Sequence, residues 1–93
     1  MNVYEFDNEW WVGHDHISVA HAIAKEYSLL PAEVSADLRP LTDRDLDFLL
    51  IDEEPDGTEI PSDQVKTVRE QLDMDLASGI GEVPRLYARA GGA

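Results

Sequence analysis

Ninety-three residues, no cysteine and a net charge of −13, from seven Lys plus Arg against twenty Asp plus Glu, describe one small acidic domain without disulfides. That charge excludes nucleic acid and anionic membrane as direct partners, since both recruit cationic patches; a basic protein surface or a cation is the natural complement. The 43% apolar content is that of a folded chain, no apolar run approaches the ~20 residues of a membrane span, and MNVYEFDNEWW lacks the basic start of a secretory signal, so a cytoplasmic protein is expected.

The first predicted element is a β-hairpin over Met1 to Gly13. Asn2 to Phe6 and Glu9 to Gly13 are rich in aromatic and β-branched residues, and Asp7-Asn8 between them suits a two-residue turn with positive φ. This loop opposes Phe6 to Glu9, Glu5 to Trp10, Tyr4 to Trp11 and Val3 to Val12. Tyr4, Phe6 and Trp11 then share one face, and Val3, Trp10 and Val12 the other. Both faces are apolar, so either both are covered or one is left for a partner.

Residues 15 to 28 predict a helix with Asp15, or else Ser18, as N-cap. Val19, Ile23 and Tyr27 recur at four-residue spacing with Ala20 and Ala24 beside them, a stripe for packing on a sheet. Pro31 marks its end. A short helical turn is expected around Glu33 to Leu38, and another over Asp43 to Asp47 capped by Thr42, with Leu41 and Leu46 directed to the core. Phe48 to Asp52 is a continuous apolar run that predicts a central strand, and Pro55, Asp56 and Gly57 predict a turn.

A stronger helix is expected over residues 63 to 78, with Ser62 as N-cap and Val65, Val68, Leu72 and Leu76 as its apolar stripe. Gly79 suits the left-handed position that follows, with Ile80 folded back on the last turn. Val83 to Ala90 predicts a closing edge strand with Leu86 and Ala88 facing the core and Tyr87 facing away. Residues 1–90 make the domain, and Gly91, Gly92 and Ala93 an expected frayed tail. The fold class is α+β: a four-stranded, mostly antiparallel sheet in the order β-β-α-β-α-β, with two helices on one face.

The charge is concentrated between Asp43 and Asp63. Nine acids lie there with one base, Arg44. Carboxylates on a rigid frame can imitate nucleic-acid phosphates and occupy the cationic groove of a nucleic-acid-binding protein, in a salt-sensitive way. The expected partner-binding residues are Asp43, Asp45, Asp47, Asp52, Glu53, Glu54, Asp56 and Glu59. The bland alternative is a solvated surface that confers solubility. A second route to a partner, or to a homodimer, is the aromatic hairpin face of Tyr4, Phe6 and Trp11.

Two metal patterns compete with these readings. Asp52, Glu54, Asp56 and Asp63 fall where a calcium loop places its oxygens, with Gly57 at the turn. Against it stand an Asp at the last position, two prolines and a preceding strand. His14, Asp15, His16 and His21 have poor spacing for zinc, and capping or surface roles are the plainer reading. No cofactor is expected. Serines sit in no nucleophile context and there is no phosphate-binding glycine loop, so no enzymatic activity is expected either.

Several short motifs carry a resemblance. They are Tyr4-Glu5-Phe6 leading to Glu9-Trp10-Trp11-Val12-Gly13, Leu41-Thr42-Asp43-Arg44-Asp45-Leu46-Asp47 and Glu54-Pro55-Asp56-Gly57-Thr58. Val68-Arg69-Glu70-Gln71-Leu72 and Val83-Pro84-Arg85-Leu86-Tyr87-Ala88 complete the set. Together they span most of the chain, and it resembles small acidic proteins encoded by phages and prophages. The resemblance implies a phage setting, with the host cytoplasm as location. By analogy it implies an inhibitor of a host defence protein of the anti-CRISPR or anti-restriction kind. It brings no catalytic residues.

Overall fold

The fold is built outward from the Asp7-Asn8 turn. In the computed structural model, which describes residues 1–89, both turn residues have positive φ, 47° and 64°. This pair matches the twist of the strands it joins. Strands β1 (Asn2–Phe6) and β2 (Glu9–Gly13) pair in the expected register, Val3 with Val12, Tyr4 with Trp11, Glu5 with Trp10 and Phe6 with Glu9.

Helix α1 (His16–Tyr27) follows, capped by Asp15, whose Oδ1 accepts the Ser18 N–H at 2.7 Å. Ser28 ends it in the left-handed conformation. Pro31 opens the next element: it stands at the first position of α2 (Pro31–Asp37), where a missing N–H costs nothing. Then come β3 (Arg39–Pro40), α3 (Asp43–Phe48), β4 (Leu50–Ile51), a 3₁₀ turn at Ser62–Gln64, β5 (Lys66–Thr67), α4 (Val68–Ser78) and β6 (Arg85–Arg89).

The main sheet is antiparallel and four-stranded, ordered β3-β1-β2-β6, in an α+β fold. Its fourth strand is β3, and not the apolar run at Phe48. That run divides: Phe48 closes α3 and is 73% exposed, while Leu50 and Ile51 pair with Thr67 and Lys66 in a separate two-stranded sheet. A four-residue apolar run carries no periodicity of its own, and the helix capped at Thr42 takes only its first residue, Phe48.

The helices lie on both faces of the sheet, not on one. Tyr4 and Trp11 pack with Val19, Ile23 and Val34 of α1 and α2. Val3, Trp10 and Val12 pack on the opposite side with Ile51, Val68 and Leu72. The physical reason is the hairpin, whose two apolar faces both need cover.

Two further local differences have identifiable causes. Helix α4 starts at Val68, not Asp63, because Thr67 and Glu70 form a reciprocal capping box. Its stripe is correspondingly shorter: Val68 and Leu72 are buried, while Leu76 is 48% exposed. In β6 the register shifts opposite Trp10 and Trp11, which pair with Ala88 and Leu86. This bulge leaves Tyr87 unopposed and lets it join Ala88 in the α4-side core, whereas Leu86 packs on the α1 side. The expected frayed tail and the last residue of the expected closing strand, Ala90, lie outside the described residues.

Candidate binding surface

The acids of the Asp43 to Asp63 region divide into two sets according to what the fold does with them. The first set is on α3. Thr42 Oγ1 accepts the Asp45 N–H and Asp45 accepts the Thr42 N–H, both at 3.1 Å. Arg39 of β3 reaches Asp45 at 3.1 Å and Glu5 of β1 at 3.2 Å, joining strand edge to helix. The Thr42 N–H first, and Arg39 second, hold the Asp45 carboxyl below the usual aspartate range. Arg69, in the first turn of α4, binds Asp47 at 2.5 Å and Asp43 at 3.1 Å. Asp43, Asp45 and Asp47 therefore answer to guanidinium groups of the same chain. Such solvated pairs add little stability, but they orient α3 against its neighbours.

The second set is on the segment that follows β4. The Ile60 N–H donates to the Asp52 carbonyl at 2.8 Å, and the Glu54 N–H donates to the Thr58 carbonyl at 2.8 Å. The Gly57 N–H closes a turn on the Glu54 carbonyl at 2.9 Å. Gly57 has φ of 91°, a conformation glycine adopts without strain. Asp56 Oδ1 accepts the Thr58 N–H at 2.9 Å, which lowers the Asp56 carboxyl below its ordinary range. The result is an irregular hairpin over residues 52–60 whose strands touch at an antiparallel bridge between Glu53 and Glu59. Asp52, Glu53, Glu54, Glu59 and Asp63 take part in none of the ion pairs among the described residues.

This hairpin also spreads out the residues of the calcium pattern. Asp56 is at the tip, and Asp63 lies beyond the hairpin in the 3₁₀ turn. Cross-strand backbone bonds replace the coil that would wrap an ion. Among the described residues no three carboxylates or imidazoles come together to hold a metal ion, so neither Asp52, Glu54, Asp56 and Asp63 nor the histidine set forms a cluster. His16 instead contacts Ser35 Oγ at 3.0 Å and stands edge-on to Tyr4.

The aromatic alternative is corrected by burial. Tyr4 and Trp11 are 4% and 5% exposed beneath α1 and α2, and Phe6 is half-buried at their margin. Covering both faces of the hairpin leaves Tyr4 and Trp11 inside the core, with Phe6 alone of the three in part at the surface. Glu9, opposite Phe6, is buried on the same face and accepts from Trp11 Nε1 at 3.1 Å and from the Tyr27 hydroxyl at 2.5 Å.

Beside the acidic hairpin is a cleft of about 240 Å³. Ile51 and Ile60 contribute apolar lining, Glu53 and Glu54 stand on the hairpin side, and Asp75, Arg85 and Tyr87 belong to α4 and β6. Asp75 accepts from Gln71 Nε2 at 3.0 Å and from the Tyr87 hydroxyl. Burial, and then this bond to Asp75, push the Tyr87 hydroxyl well above its ordinary range. The Arg85 guanidinium lies over the Tyr87 ring, 5.4 Å from its centroid, and donates to the Ile80 carbonyl at 3.2 Å.

Comparison with protein-family models, curated proteins and solved structures finds no match.

The function of the surface therefore rests on its own chemistry. Carboxylates without internal cations attract and accept from cationic groups. The one sequence signal for the Gln71-Asp75-Tyr87 network is that Gln71 and Asp75 stand four apart on one helix, the spacing at which side chains meet. The participation of Tyr87 depends on the β6 bulge, which leaves no composition signal.

Proposed function

We propose that this chain is a binding protein that presents the carboxylates of its 52–63 segment to the cationic groove of a nucleic-acid-binding protein, where they stand in for phosphates. One observation supports this reading above the others. Asp52, Glu53, Glu54, Glu59 and Asp63 are displayed beside and along a hydrogen-bonded hairpin and have no cation among the described ion pairs, whereas Asp43, Asp45 and Asp47 are engaged by Arg39 and Arg69. The partner-facing set is thus narrower than the acid-rich stretch. The resemblance to phage proteins suggests the target class, a host defence protein that grips nucleic acid.

Competition tests this. A labelled duplex bound to a CRISPR effector or a restriction enzyme is displaced by this chain at about 0.05 M salt, and direct capture of that protein by this chain weakens as salt rises towards about 0.5 M, as screened carboxylates require. Replacing Glu53, Glu54 and Glu59 with Lys abolishes displacement. Undiminished displacement by that triple variant contradicts the proposal.

A further inference from the structure

We infer that the cleft between the acidic hairpin and α4 is a socket for one arginine side chain of the partner. The inference rests on the binding role proposed above and assigns that role a specific contact. Size is the first argument. The cleft's 240 Å³ is about the volume of eight waters, below the ~300 Å³ at which small-molecule pockets begin. It holds a side chain and not a nucleotide.

Charge is the second argument. Among the described residues Glu53, Glu54 and Asp75 face a single cation there, Arg85, which lies over Tyr87 and makes a long ion pair with Asp75 Oδ2 at 3.9 Å. Glu53 is moreover opposed across the hairpin by Glu59, a like-charge pairing that a cation relieves. Shape chooses among cations. A planar guanidinium makes two parallel hydrogen bonds to a carboxylate while its apolar stem lies along Ile51 and Ile60; an ammonium makes point contacts only.

The experiment is a titration of the whole ¹⁵N-labelled protein with N-acetyl-arginine amide, followed by amide shifts. Saturable shifts are expected at Glu53, Glu54, Gln71 and Tyr87. The isosteric E53Q/E54Q variant weakens the affinity by about tenfold or more. E33Q/D37N removes the same charge from α2, across the sheet, and leaves the affinity unchanged. Shifts spread over all acidic residues without saturation would overturn the inference, as would equal losses in the two variants or equal affinity for N-acetyl-lysine amide. If the socket fails while E53K/E54K/E59K still loses duplex displacement, the binding role stands without it. If displacement survives that variant, the binding role itself fails.

Discussion

Glu53 and Glu59 face each other across the 52–60 hairpin, two like charges in direct cross-strand register. Such a pair weakens the ladder that holds it. Neither is in an ion pair among the described residues, while Arg39 and Arg69 are each committed to two carboxylates elsewhere. A surface kept for solubility alone has no need to set two glutamates face to face. On the binding role proposed above, a partner's cation relieves that repulsion.

Glu59→Lys should therefore separate stability from binding. Turning the like pair into an opposite pair stabilises the hairpin by about 0.5 kcal/mol. The same change weakens capture of a cationic partner, a trade expected where a binding site keeps local repulsion. Urea denaturation and the duplex-displacement assay, run on one preparation, check both signs.

The start of α4 gives a second prediction. Thr67→Ala removes the side chain that accepts the Glu70 N–H at 3.1 Å and costs about 1 kcal/mol. Ser62→Ala, at the position where the spacing of apolar residues alone would place the cap, changes stability by less than about 0.5 kcal/mol. Denaturant midpoints of the two variants check the assignment.

How much of this was legible follows from the range of each signal. The hairpin register was readable because two turn residues, Asp7 and Asn8, dictate every pairing behind them. The Asp15 and Thr42 caps were readable for the same reason: their partners lie three residues away. The start of α4 is also written locally, in Thr67 and Glu70, but Val65 continues the apolar spacing upstream of it. What could not be read is long-range. Arg39 meets Glu5 across 34 residues and Arg69 meets Asp43 across 26, so composition could not say which acids the fold would neutralise. Nor could an apolar run at Phe48 show that its aromatic ring would stay outside.

Gly13 is required by close approach. A Cβ there would collide with Val19 Cγ2 and touch Pro84, where β2 passes beneath the start of α1. Gly13→Ala should destabilise the protein by about 1–3 kcal/mol, visible as a lowered melting temperature.

The pH profile has two limbs. Asp15, Asp45, Asp56 and Glu70 are held below their ordinary values of 3.8 and 4.5, chiefly by backbone N–H donors. Folded pKa values below unfolded ones give stability that is complete above the ordinary values and is lost as pH falls through the folded ones. Tyr87 is shifted the opposite way, up from 10.0, so its contribution is present below that value and is lost as pH rises through the folded pKa. The urea midpoint should thus be flat between about pH 5 and pH 9 and fall on either side. A midpoint that rose steadily from about pH 7 down to pH 3 would mean that relief of charge repulsion dominates instead.

The central claim is that position, and not total charge, makes the acidic hairpin a binding surface. Two variants of equal net charge test it most directly in the duplex-displacement assay. One carries Asp52→Asn, Glu53→Gln, Glu54→Gln and Glu59→Gln; the other carries Asp7→Asn, Glu26→Gln, Glu33→Gln and Asp37→Asn on the hairpin turn, α1 and α2. The account predicts that the first loses displacement by about tenfold or more and the second keeps it. Equal losses in both would contradict it.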